Sequence, residues 1–311
     1  MNPICNILVI VDPTAQRHPA VEKAALLAAH FDARLELFAC ETKVSHQMRQ
    51  AAHLRAQPHT PFEINLKPKL EALAAPLREQ GIDVATAVES GDPLHVALLD
   101  RVRRTSAELV VKDTHHHTLA QRTFLTNTDW QLIRGCPVSL LLTKSRPWAR
   151  SPRVCAAVDP GHVNDKPEVL DHRILDQAAV IARRLAGTLH VLHAYLPLDL
   201  VSTALTTPPM LGTVTAEDLQ RTGAAARVEV ERLVGNYDVA PGNIHVELGS
   251  AAEIVPRAAG ALACDVMVMG AISRTGLQRV FIGSTAEDVL ERLPCDALVV
   301  KTPEFASPLQ S

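Results

Sequence analysis

Aromatic side chains make up only 3% of this 311-residue sequence, and Trp130 and Trp148 are its two tryptophans. That is too sparse for a platform on which nucleic-acid bases stack. No run of 18 apolar residues occurs, so no helix is expected to cross a bilayer. The opening MNPICNILVIVDP lacks a basic stretch, and its apolar run is too short for a secretory signal. A formal net charge of −3 gives no general attraction to nucleic acid or to an acidic membrane. The six cysteines show no Cys-x-x-Cys or other metal-ligand spacing. Most lie in or beside apolar runs, where a thiol serves as a small hydrophobe, so a reducing compartment is expected rather than a disulfide framework. These absences predict a soluble, cytoplasmic chain without nucleic-acid partners or membrane insertion. Gly-x-Gly-x-x-Gly and Gly-Lys-Ser/Thr are also missing, which excludes the dinucleotide fingerprint and the Walker A loop. No Ser/His/Asp order or activated cysteine stands out, so no catalytic residue is assigned.

What the sequence does contain is a repeat. NILVIVDP (6–13) and RVCAAVDP (153–160) are short apolar runs closed by Asp-Pro. Each is followed by a helical pattern, Ala20, Ala24, Leu27, Ala28 and Phe31 in one half and Ile174, Ala178, Ile181, Ala182 and Leu185 in the other. RLELFACE (34–41) matches TLHVLHAY (188–195), VATAVESG (84–91) matches IHVELGSA (244–251), AELVVK (107–112) matches CDVMVMG (264–270), and VSLLLTK (138–144) matches ALVVK (297–301). Five short, non-alternating apolar strands separated by helices predict a parallel sheet covered on both faces, once in residues 1–146 and again in 152–305. The stretch KSRPWARSPR (144–153) between them carries prolines that discourage regular structure. The polar inserts 42–64 and 199–223 are expected to be loops over the ligand edge of each sheet.

Ligands of such sheets bind where strands end in carboxyl-terminal loops. Asp159, Ala194 and the pair Met269-Gly270 fall at such ends. Gly270 opens the segment GAISRTGLQRVFIGST (270–285). A missing side chain there lets an anion approach the backbone, and Gly283, Ser284 and Thr285 precede a helical pattern whose first N–H groups would face it. Arg274 and Arg279 add charge. The alternative reading is a capping box, Ser284-x-x-Glu287, in ordinary helix punctuation. Asp12 and Asp159 are read equally as catalytic carboxylates or as turn residues before proline, Cys295 as a core thiol, and His193 as either a core group or a ligand contact.

The whole chain, from about residue 5 to 302, resembles the tandem-domain universal stress proteins, of the two-domain E type. The family's nucleotide-binding members carry Gly, two residues, Gly, nine residues, Gly, then Ser or Thr. Here Gly270 is followed by Ala271-Ile272, Ser273 replaces the second glycine, RTGLQRVFI supplies nine residues, and Gly283-Ser284 completes the pattern. The resemblance implies two tandem flavodoxin-like (Rossmann-like) α/β domains of strand order 3-2-1-4-5 with helices on both faces. It implies ATP, or the related AMP or ADP, with Mg2+ as an accompanying ion. Asp159 and Ala194 would border the adenosine, Gly270, Ser273, Arg274, Gly283, Ser284 and Thr285 the phosphates, and Met269 would also belong to the nucleotide site. It also implies a pseudo-dimer of the two halves, with homodimerisation beyond it. If that position needs a positive φ or a bare backbone, serine strains the loop or crowds the phosphates, so a weakened site is expected.

The first half reads differently. In KDTHHHTLAQRTFLTNTDW (112–130), Lys112 stands against Gly270, His115 against Ser273, and Thr126-Asn127-Thr128 against Gly-Ser-Thr, with the loop one residue longer. A lysine and a histidine there would fill a nucleotide's space, so this half is expected to be degenerate. His115 and His117 are weak zinc candidates, with Asp113 to orient a ring; a solvated polar loop is the competing reading. Two rival functions remain at this point: a stress protein that meets partner proteins or a lipid-like ligand with both sites degenerate, and a slow ATPase.

Overall fold

A computed structural model describes residues 4–12, 15–42, 47, 66–116, 123–161, 168–197, 215–271, 273–275, 280–302 and 305. The N-terminal half runs β1 (Asn6–Ile10), α1 (Pro19–Phe31), β2 (Arg34–Glu41), α2 (Lys67–Glu79), β3 (Val84–Ser90), α3 (Leu94–Thr105), β4 (Leu109–Asp113), the short strands β5 (His115–His116) and β6 (Thr123–Phe124), α4 (Asn127–Gly135) and β7 (Ser139–Thr143). The C-terminal half repeats it: β8 (Arg153–Ala157), α5 (Glu168–Arg184), β9 (Thr188–Tyr195), α6 (Ala216–Val234), β10 (Ile244–Leu248), α7 (Ala251–Ala261), β11 (Val266–Gly270), β12 (Ser273–Thr275), β13 (Val280–Ile282), α8 (Ser284–Arg292) and β14 (Asp296–Val300).

Each half has the expected strand order 3-2-1-4-5, all parallel. The two sheets then join edge to edge through antiparallel pairing of β7 with β14, Leu140 opposite Val299 and Leu142 opposite Ala297, giving one ten-stranded sheet. The pseudo-dimer therefore rests on main-chain hydrogen bonds as well as side-chain packing. Strands apolar at every position need cover on both faces. One core lies against α1, α2, α5 and α6, the other against α3, α4, α7 and α8, and each runs without a break across the β7–β14 seam. The insert read as a loop over 199–223 ends earlier than expected, because residues from Ala216 onward start α6, capped by Thr215. The rest of that insert, 199–214, and residues 43–46 and 48–64 of the other lie outside the described residues.

At the seam, buried polar groups tie the halves together. The Asp296 carboxylate accepts from Lys23 Nζ at 2.6 Å, the Lys144 N–H at 2.8 Å and Trp148 Nε1 at 2.8 Å. Two lysines at corresponding places beyond β7 and β14 cross in opposite senses: Lys144 Nζ donates to the Leu293 carbonyl, and Lys301 Nζ to the Ile133 carbonyl. Both ends are the carbonyl-rich C-termini of helices, which favour a cation. Burial nevertheless pushes each ammonium down to about 8.

These lysines make stability depend on alkaline pH in a defined sense. Between about 8 and their ordinary value the unfolded chain holds the protons that the folded chain has released, so stability rises with pH. Thiols act oppositely once the unfolded chain loses their protons near 9. Burial raises Cys40 and Cys136 to about 11. Cys264 is raised as well, by its contact with the Cys155 thiol and by burial, and Cys295 by its contact with the Cys264 thiol and by burial. Four thiols outweigh two lysines. The urea midpoint is therefore expected to climb by the equivalent of about 1–2 kcal/mol from pH 7.5 to 9 and to fall again by pH 10.5. A midpoint that only falls across that range, with no rise towards pH 9, would show that the lysines stay charged in the folded protein.

Candidate functional site

The crevice of each half lies at its topological switch point, between β8 and β11 in the C-terminal half and between β1 and β4 in the N-terminal half. At the end of β8 the Asp159 N–H donates to Asp171 Oδ1 at 3.0 Å. Asp171 sits on α5, which has 17 residues against 13 in α1. Both helices end at a left-handed residue, Asp32 (φ 54°) and Ala186 (φ 49°), so the added turn lies at the N-terminus of α5. That turn brings Leu170 onto Gly270: a Cβ there would stand 2.6 Å from Leu170 Cδ2 and 2.9 Å from Cγ. Glycine at 270 is thus required by helix packing, whatever else approaches it. Met269 is buried and Ala194 half-buried on the opposite face of the sheet, so the backbone is what they offer a ligand. His193 is a core residue, its Nδ1 3.1 Å from the Val158 carbonyl, and Cys295 is buried as well.

The segment after Gly270 is an antiparallel ribbon, Ser273 opposite Ile282 and Thr275 opposite Val280. Ser273 therefore takes a strand backbone and is absent from the residues of positive φ. The strain expected of serine does not arise. The side chains of Ser273 and Arg274, and all of Arg279, lie outside the described residues. Helix α8 then starts with Gly283 as its N-cap (φ −58°, ψ 139°), and no side chain among the described residues caps it. The capping box read from Ser284 and Glu287 is not formed. Ser284 is already the first helical residue, and Glu287 Oε1 instead accepts from Arg134 Nη2 of the other half at 3.0 Å. Among the described residues no atom lies within 4 Å of where a Cβ on Gly283 would stand. No described residue demands glycine there.

The N-terminal half has filled the corresponding place. Strand pairing aligns Leu109–Ser139 with Val266–Asp296, so the halves correspond at a constant 157 residues here (109 to 266, 139 to 296). Asp113, not Lys112, is then the counterpart of Gly270, and the loops to Thr126 and Gly283 are equal in length. The one-residue slip arose because a continuous apolar run carries no mark of its own register. Asp113 Oδ1 accepts from the Ala20 N–H at 2.8 Å and Thr143 Oγ1 at 2.7 Å; burial pushes its carboxyl up. At the start of α4, Asp129 is fully buried. Its carboxylate accepts from the Thr126 N–H at 2.7 Å and Thr126 Oγ1 at 2.8 Å, and lies 2.7 Å from Lys112 Nζ. A capping box with its own cation stands at the helix N-terminus, where in α8 no described side chain caps. Thr126-x-x-Asp129 was readable as a capping box in the sequence; Asp171 and Arg134 carried no such signal.

Among the described residues no three His, Cys, Asp or Glu side chains converge as metal ligands. His117 and the side chain of His115, the zinc candidates, lie outside the described residues. No described helix is long and apolar enough to cross a membrane.

The model of the universal stress protein family matches residues 4–144 and 153–301. The chain is 26% identical over 316 residues to universal stress protein E of Salmonella typhi, covering 98% of this chain and 96% of that one. It is 25% identical over 313 residues to universal stress protein E of Escherichia coli K12, again covering 98% and 96%. Among solved structures, a putative universal stress protein of Pseudomonas aeruginosa UCBPP-PA14 is 28% identical with a TM-score of 0.75, covering 97% of this chain and 94% of that one.

Proposed function

The chain belongs to the universal stress protein family, and from that premise we propose that its C-terminal half binds an adenine nucleotide, ATP or its relatives AMP and ADP. The adenosine lies along the ends of β8 and β9, beside Asp159 and Ala194, and the phosphates at the N-terminus of α8. The observation that carries this reading is the contrast between the two halves. Helix α8 presents Ser284 and Thr285 N–H groups uncapped by any described side chain, behind a glycine that no described residue demands. Such N–H groups, with the helix dipole behind them, favour phosphate oxygens. Its counterpart α4 carries a capping box between Thr126 and the buried Asp129, with Lys112 Nζ 2.7 Å from that carboxylate, so an added phosphate would meet a buried carboxylate. The N-terminal half therefore takes no nucleotide in this manner. Mg2+ would come with the phosphates; the described residues supply no cluster of ligands for it.

Calorimetric titration of the full chain with ATP, AMP and ADP, beside mass spectrometry of whatever nucleotide co-purifies, tests the reading. One bound nucleotide per chain is the expected stoichiometry. Two per chain would contradict the closed N-terminal site, and none would end the proposal.

A further inference from the structure

We propose that the N-terminal half is a working part of the C-terminal site, with Arg134 acting as a positioning residue that screens Glu287 from the bound phosphates. This rests on the nucleotide reading above. Glu287 is the one acidic residue in the first turn of α8. A carboxylate there suits the helix dipole but repels an anion held at the same end. Arg134, in the last turn of α4, meets it at 3.0 Å, and the guanidinium carbon lies 5.9 Å from the ring centroid of Trp130. The arginine is thus held between an aromatic face of its own half and the acid of the other.

The arrangement is one-sided. At the 157-residue correspondence, Trp130 stands for Glu287 and Glu291 for Arg134, so the reciprocal pair does not exist. Of α4 and α8, it is α8, which no described side chain caps, whose first-turn acid is neutralised from across the seam. The support extends to the backbone: α4 lies against β13, and α8 against β6. The ribbon leading to the phosphates is therefore backed by the other half. The halves make one site between them, and the half without a ligand supplies its electrostatics.

A double-mutant cycle on ATP affinity at low ionic strength tests this. Arg134→Ala is expected to weaken binding about two- to fivefold, and Glu287→Gln to tighten it by a similar factor. The double variant should bind close to the wild type. Because the effect is a screened charge, the loss in Arg134→Ala should shrink as salt is raised, which a purely structural loss would not do. Arg134→Gln serves in place of alanine if Arg134→Ala fails to fold. Unchanged affinity in Arg134→Ala and Glu287→Gln, beside a wild type that binds, overturns the inference alone. A wild type without binding overturns the site reading itself.

Discussion

Valine at position 283 is expected to abolish nucleotide binding, by about a hundredfold or more, in a protein that still folds. Gly283 has φ −58° and ψ 139°, which valine adopts without strain, and no described atom lies within 4 Å of the new Cβ. The cost to the fold is that of a poor N-cap, on the order of 1 kcal/mol or less. The branched side chain would stand over the Ser284 and Thr285 N–H groups that phosphate oxygens are to accept from. Charge-assisted hydrogen bonds contribute about 1.5–3 kcal/mol each, so losing one or two gives the expected factor. Thr126→Val is the control from the other half. It removes the hydroxyl that caps α4, lowers stability by about 1 kcal/mol, and leaves affinity alone. Gly270→Ala cannot serve as a binding probe, because its methyl group meets Leu170 and unsettles the fold directly. Calorimetry beside thermal melts reads all three. Full affinity in Gly283→Val would place the phosphates elsewhere.

Loss of the Asp296 carboxylate should be the most damaging change to stability, about 3–5 kcal/mol for Asp296→Ala. Lys23 and Asp296 are both nearly excluded from solvent, at 6% and 2% of side-chain exposure. Removing the acid leaves a buried ammonium, the Lys144 N–H and Trp148 Nε1 without their acceptor, and each stranded group carries its own desolvation cost. Lys23 belongs to α1 of the first half and Asp296 to β14 of the second, so the damage falls on the seam. Replacing both partners by apolar residues, Lys23→Met with Asp296→Leu, is expected to recover much of the loss, since a buried pair owes little net stability to its own attraction. Urea unfolding measures both. A double variant no better than the sum of the singles would mean that the acid acts through Trp148 and Lys144 alone.

The seam also shows where local sequence patterns stop being informative. Leu140, Leu141 and Leu142 read as a strand in any context, but nothing along the chain says that they pair with Val299, Leu298 and Ala297 in the antiparallel sense. Lys144 and Lys301 close the last strand segment of each half in the sequence, and no local pattern marks them as the buried cross-seam donors that they are. The linker 144–153 was legible as irregular, yet its anchoring to Asp265 and Asp296 through Arg146 and Trp148 was not. Those contacts join residues more than a hundred positions apart.

By itself the sequence determined the duplication, the five-stranded parallel architecture of each half and the resemblance carried by Gly270, Gly283 and Ser284. These follow from short-range apolar periodicity and from spacing, which the chain carries locally. Tertiary structure decided the rest. It assigned Gly270 to the packing of Leu170, gave Ser273 a strand backbone, and aligned Asp113 rather than Lys112 with Gly270. It also filled the N-terminal half's helix end with Asp129 and sent Glu287 to Arg134 instead of to its own cap. Each of these depends on what lies opposite a residue across a strand, a helix face or the seam, and so becomes readable only when the chain is folded.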